Sequence, residues 1–229
     1  MIWITGDTHG TIDLRRLEMF FVDEQKTKQI TKDDYVIILG DVGVCWDGKW
    51  GDYNLRKRLQ ELPCTVLWLD GNHENFDEIA KFPVKEWNGG KVHFITDDII
   101  HLMRGQVFEI EGKKFFVMGG GLSIDRWMRH EGKSWWPQEM PSKEEYDEGI
   151  KNLAQHDYKV DYILTHTCPS EIAHILAYGD TEKGEKEINR YFDHIAEVTE
   201  FEKWFFGHWH MNRDMGKYQC LYYKVVELD

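Results

Sequence analysis

Apolar residues along this 229-residue chain fall into short runs, and each run stops at a small polar cluster. Residues 2–5, 35–39, 65–69, 162–164 and 204–206 are such runs. A glycine or polar turn follows each almost at once, so they read as strands buried on both faces rather than as short buried helices. Helical spacing fills the intervals. Residues 13–23 put Leu14, Leu17 and Phe20 or Phe21 on one face, and 52–62 do the same with Leu55, Leu59 and Leu62. Ser142 followed by Glu145 is a capping-box pattern for a helix running to about residue 155. Residues 169–177 and 185–198 predict two more helices. Two stretches break the alternation. Residues 91–118 read as strands 91–95 and 99–103 and a hairpin of 107–110 with 114–118 around Glu111-Gly112-Lys113, and residues 213–226 read as β structure turning near Gly216. With no internal repeat and no linker, the expectation is one α/β domain over 1–229. Two mixed sheets would pack together with helices outside, the polar clusters lying at carboxyl ends of strands.

Composition narrows this only in part. The chain is 41% hydrophobic and 14% aromatic, enough for a core, and its ten Trp serve either a core or a binding surface. A formal net charge of −13 argues against broad nucleic-acid binding, which needs Lys and Arg to neutralise phosphates, although bound cations would reverse the sign locally. The four Cys form no C-x-x-C pair, so a structural zinc site is not expected, and their scatter suits reduced cytosolic thiols. The N-terminal residues have no signal-peptide pattern and no run approaches a membrane span, so a soluble, cytoplasmic protein is expected.

The clusters carry the chemistry. They are Gly6-Asp7-Thr8-His9-Gly10, Gly40-Asp41-Val42-Gly43, Gly71-Asn72-His73-Glu74, Thr165-His166-Thr167 and Gly207-His208-Trp209-His210. Asp, Asn and His bind hard or borderline divalent metals through oxygen and nitrogen. A two-metal hydrolytic site needs several ligands per cation and one shared group that holds the ions roughly 3.5–4 Å apart, a role suited to a carboxylate. The clusters contain no Cys, which favours Mn, Fe or Zn over thiophilic metals.

In order and spacing these blocks resemble the calcineurin-like metallophosphoesterase superfamily, whose pattern is D-x-H, G-D, G-N-H-[D/E], H and G-H-x-H. All five occur between residues 7 and 210. The resemblance implies an α/β/β/α sandwich and a hydrolase acting on phosphate mono- or diesters. Asp7, His9 and His210 would hold one metal, Asn72, His166 and His208 a second, and Asp41 would bridge them. Two divalent ions are implied, manganese first, with iron or zinc as alternatives. A hydroxide bridging the metals would attack phosphorus in line, Asn72 would help position the phosphate, and His73 would protonate the leaving group.

The sequence also departs from the family. Many relatives read G-D-x-x-D at the second block, often followed by Arg-Gly, where this chain has Gly40-Asp41-Val42-Gly43-Val44. The absent Asp orients the catalytic His in the phosphoprotein phosphatases, and the absent Arg grips phosphate there. Asp47 and Glu74 are the candidates for the orienting role. The departure points away from a Ser/Thr protein phosphatase and towards a small phosphoester or nucleotide substrate. A dinucleotide polyphosphate hydrolase and a non-catalytic metal-bound scaffold of the same fold are the alternatives. The segment after Gly119-Gly120-Gly121 contains Arg126 and Arg129, candidates for clamping phosphate, and Trp127, Trp135 and Trp136, which could stack on a ring. A packed irregular loop is the competing reading. His93, His101, His156, His174 and His194 lie outside the blocks and are expected in core or surface roles, and Cys45 and Cys168 are expected as buried thiols.

Overall fold

The structure is a computed structural model, and it describes residues 1–177 and 186–228. Strands β1 (Ile2–Thr5), β2 (Tyr35–Ile38), β3 (Thr65–Trp68) and β6 (Ile99–Leu102) run parallel in the middle of one sheet. That sheet continues through antiparallel β5 (Gly90–Thr96) to β4 (Val84–Trp87), and β13 (Val225–Leu228) closes its other edge against β1. The second sheet centres on parallel β8 (Lys113–Met118), β9 (Tyr162–Thr165), β10 (Lys203–Phe206) and β12 (Tyr218–Cys220), edged by antiparallel β7 (Gln106–Ile110) and β11 (Arg213–Met215).

Alternation along each strand divides the core into layers, because successive side chains face opposite sides of a sheet. Ile4, Ile37 and Leu67 meet Phe115, Leu164 and Phe205 between the sheets. Trp3, Val36 and Trp68 face the other way, towards Leu14, Leu17 and Phe21 of α1 (Leu14–Glu24) and Leu55 and Leu59 of α2 (Trp50–Gln60). Phe116, Ile163 and Trp204 pack on α4 (Lys143–Gln155), α5 (Ser170–Leu176) and α6 (Lys186–Val198). The result is the expected helix–sheet–sheet–helix sandwich. The Trp question is answered residue by residue: Trp3, Trp68 and Trp204 are fully buried, whereas Trp50 and Trp127 are exposed.

The capping box is present at α4, Ser142 and Glu145 each satisfying the other's backbone N–H. The hairpin turns at Glu111 and Gly112, both with positive φ, as the tight turn joining two antiparallel strands requires. One α-helix and one strand lack a sequence expectation, the short α3 (Phe76–Ile79) and edge strand β4, the latter largely exposed on both faces. Residue 185, placed at the start of the last predicted helix, lies outside the described residues; the helix is described from Lys186.

Candidate metal centre

The five clusters leave the carboxyl ends of β1, β2, β3, β9 and β10 and meet at one edge of the two sheets. Tight approach makes small residues necessary there. A Cβ on Gly71 would stand 2.1 Å from Asp41 Oδ1, and one on Gly207 would stand 2.2 Å from Asp7 Oδ1. His9, Asp41, His208 and His210 all have positive φ, at 46°, 53°, 67° and 49°. Non-glycine residues held there cost roughly 1–3 kcal/mol each and persist where surrounding structure enforces them, commonly at functional sites.

Asp7, His9 and His210 bring one ligand atom each to within 4.8 Å of one another. Asp7 is fully buried, and both its oxygens accept the backbone N–H of His208 at 3.1 Å. Burial alone would push its pKa up, but His210, His166 and His9 together hold it below the usual carboxylate value. His9 donates from Nδ1 to Asp13 at 3.1 Å, which leaves the lone pair on Nε2. His210 lies 3.3 Å from Asp7 through Nε2 and stacks on Tyr222 with ring centroids 4.8 Å apart.

The second set is tighter. Asn72 Oδ1 lies 3.0 Å from His166 Nε2 and 2.9 Å from His208 Nδ1, and those two nitrogens are 3.3 Å apart. His166 Nδ1 donates to the Leu39 carbonyl at 2.7 Å, so in the neutral ring Nε2 carries a lone pair. Ser123 Oγ lies 3.1 Å from Asn72 Nδ2 and 3.5 Å from the Asn72 carbonyl, so the hydroxyl donates to the carbonyl and accepts from the amide. That turns the amide oxygen, an acceptor, towards the His166 Nε2 lone pair. Acceptors converging in a buried site repel unless a cation sits among them, and this donor set fits a divalent ion. Asp41 stands between the two sets, Oδ2 at 3.7 Å from His9 Nε2 and Oδ1 at 3.5 Å from His166 Nε2.

His73 sits beside these sets. Its backbone N–H donates to Asp41 Oδ1 at 2.7 Å. Arg129 reaches its ring, Nη1 at 2.7 Å from Nδ1 and Nη2 at 3.4 Å from Nε2, and is itself held by Asp125 at 2.8 Å. Burial depresses the His73 pKa, Asp41 opposes that, and Arg129 depresses it further.

A family model described as calcineurin-like phosphoesterase matches residues 1–212. The chain belongs to this family. Among solved structures, the crystal structure of TT1561 of Thermus thermophilus superposes with a TM-score of 0.55 at 17% identity, covering 96% of this chain and 87% of that one, a likeness of fold. No curated protein matches.

Within this calcineurin-like phosphoesterase, the structure brings Asp7, His9, Asp41, Asn72, His73, His166, His208, His210 and Arg129 together. Arg126 is not among them; its side chain is exposed on the turn before Arg129. The two candidates for orienting His73 are committed elsewhere. Glu74 accepts the backbone N–H groups of Val42 and Gly43 at 2.7 and 3.0 Å, and burial beside Asp41 raises its pKa well above the usual value. Asp47 accepts the N–H of Lys49. Arg129 takes the place beside the imidazole instead. Trp136 is a packing residue, buried against Trp46 and donating to Asp77 at 2.8 Å, whereas Trp127 is 79% exposed.

Three supporting groups escape a reading by motif. Asp13, four residues after His9, offered a sequence signal through that spacing. Ser123 and Glu139 offered none, because they act across the fold: Glu139 is 1% exposed and accepts the N–H of Ser123 at 3.1 Å. Asp70 is buried with Arg104, which also binds the carbonyls of Gln138 and Glu139. His93 and His101 are core residues, His93 Nδ1 lying 3.0 Å from His101 Nδ1 and His101 Nε2 3.0 Å from Asp70. All four cysteines are buried free thiols, and burial pushes the Cys45 thiol to about 12, far from a nucleophile's range. No helix among the described residues is long and apolar enough to cross a membrane.

Proposed function

We propose that this calcineurin-like phosphoesterase hydrolyses a small phosphate mono- or diester, with two divalent cations held by Asp7, His9 and His210 and by Asn72, His166 and His208. The observation that carries this reading is the Asp41 carboxylate, which turns one oxygen towards His9 and the other towards His166. When bound, the cations neutralise phosphoryl oxygens and make water a nucleophile near neutral pH. The chain's own residues do the rest. Asp41 would be the shared ligand, its negative charge offsetting part of the charge of both ions. The Asn72 amide, fixed by Ser123, presents its oxygen to one cation position. His73 accepts the shorter of its two Arg129 contacts through Nδ1, so in the neutral ring the proton for the departing alkoxide is on Nε2, with Arg129 Nη2 3.4 Å away. An anionic substrate alongside raises the affinity of His73 for a proton, opposing the depression by burial and Arg129. Arg129, paired with Asp125, is a second donor for phosphate oxygens.

Manganese is the first choice of ion for this oxygen and nitrogen donor set, ahead of iron and zinc. The buried reduced thiols favour the cytoplasm, and the acidic chain favours a small phosphoester or nucleotide over nucleic acid. The test is hydrolysis of p-nitrophenyl phosphate and bis-p-nitrophenyl phosphate by chelator-stripped protein reloaded with Mn²⁺. Turnover that appears with metal and disappears with chelator supports the reading, and the preferred ester separates monoesterase from diesterase. Absence of turnover of both, with metal bound, refutes a general phosphoesterase and leaves an enzyme of narrow specificity or the scaffold.

A further inference from the structure

A cavity of about 910 Å³ opens from Asp41, Asn72, His73, His208 and His210 and runs to the start of α6. That is the size of a site for a whole small molecule, well beyond a phosphoryl group and a water. Its walls away from the candidate metal ligands change character. Leu122 and Ile124, after β8, face Ala173 on α5, with Trp209 between His208 and His210 in the chain. Ile124 is 76% exposed, an apolar side chain left in solvent at the cavity mouth. Ala173 leaves open the width that a larger side chain would take.

At the far end stand Lys186 and Arg190, four residues apart and therefore on one face of α6. Both are exposed, and neither is held by an ion pair among the described residues. Among the described residues, the acids on this part of the lining are Asp125, already paired with Arg129, and Glu171. Among the described residues of this wall, two cations stand against Glu171, in a chain whose formal net charge is −13. Such a local reversal draws anions into a cleft.

We propose that this cavity receives the leaving group of a nucleoside bisphosphate, a nucleoside monophosphate whose base supplies the flat apolar ring and whose sugar carries the second phosphate. The cleaved phosphate lies at the candidate metal ligands, the ring between Leu122, Ile124 and Ala173, and the distal phosphate at Lys186 and Arg190. This rests on the phosphoesterase reading above, and the experiment separates the two. Binding of adenosine 3′,5′-bisphosphate, 3′-AMP and 5′-AMP to the Mn²⁺-loaded protein is measured by titration calorimetry, and p-nitrophenyl phosphate turnover is followed in parallel. The bisphosphate binds at least about tenfold more tightly than either monophosphate, a gap of about 1.4 kcal/mol. In the Lys186→Gln/Arg190→Gln double variant that gap closes while metal content and melting temperature hold. Ala173→Phe, which fills the ring position, weakens all three nucleotides. Equal affinity for bisphosphate and monophosphates, or a gap that survives the double substitution, overturns the proposal whether or not p-nitrophenyl phosphate is cleaved. Loss of p-nitrophenyl phosphate turnover with the binding pattern intact condemns the phosphoesterase reading alone.

Discussion

Replacing Ser123 with Ala deletes one hydroxyl that touches neither cation position, yet it should loosen the grip on the second ion. Ser123 and Asn72 are 2% and 6% exposed, and the Oγ–Nδ2 distance is 3.1 Å. With the hydroxyl gone, the buried amide nitrogen has lost its partner, at a cost of about 1–3 kcal/mol. The amide can recover part of that by rotating so that its NH₂ donates to the lone pair of His166 Nε2, which withdraws Oδ1 from the metal position. Loss of a partner behind a metal ligand typically lowers affinity about 10–100-fold, or about 1.4–2.8 kcal/mol, the same range reached from the orphaned donor. Competition against a calibrated chelator, with metal content counted per chain, reads this directly. The first equivalent of Mn²⁺ should bind as in the parent and the second about 10–100-fold more weakly, activity recovering at high Mn²⁺. Unchanged affinity for the second equivalent would refute the reasoning. So would activity that stays low at saturating metal with a parent-like titration, because Ser123 would then be acting on something other than Asn72.

Other perturbations separate the remaining roles. Asp41→Asn removes the charge shared by both ligand sets and should weaken both equivalents by more than about tenfold in the same titration. His73→Ala should keep both ions but slow turnover by about 10²–10⁴, with the larger losses for poor leaving groups; loss of metal instead would reassign the residue. Arg129→Ala frees the His73 ring, so the pH profile of kcat/KM should move its His73-dependent limb upward, because a neighbouring cation that depresses that pKa is gone. Burial and His101 hold His93 down to about 4 against an ordinary value of 6.5. Its folded pKa lies below its unfolded one, so the stability it contributes is complete above pH 6.5 and is lost as pH falls through 4. Urea unfolding across that window should show a slope that His93→Gln flattens.

The polar blocks that meet at one edge of the sheets were legible because strand ends restrict their setting and each holds only a few residue types. Strands such as β2 and β3 were legible for a related reason: both their faces are buried, so the run is apolar throughout. Strand β4 was not, since Val84, Lys85 and Glu86 are exposed and only hydrogen bonds to β5 place them in the sheet. The partner of His73 was illegible for another reason. A neighbour search suggests Glu74, but that carboxylate turns back to the amides of Val42 and Gly43, and the imidazole meets Arg129, 56 residues away in sequence. Arg126 and Arg129 look equivalent in the sequence. A single turn of 3₁₀ helix over Arg126–Met128 sends one to solvent and the other inward.

The candidate ligands come from both sheets: Asp7, Asp41 and Asn72 follow β1, β2 and β3, whereas His166 and His208 follow β9 and β10. Cations placed there would act as rivets between two layers that otherwise meet through apolar side chains such as Ile37, Leu67, Phe115 and Leu164. In the proposed assignment neither sheet alone supplies a complete set of donors, so a high-affinity ion would not bind until the halves have docked. Metal capture should then be a late event on the folding pathway. It should slow unfolding far more than it speeds refolding, because the transition state forms before the rivets are in place.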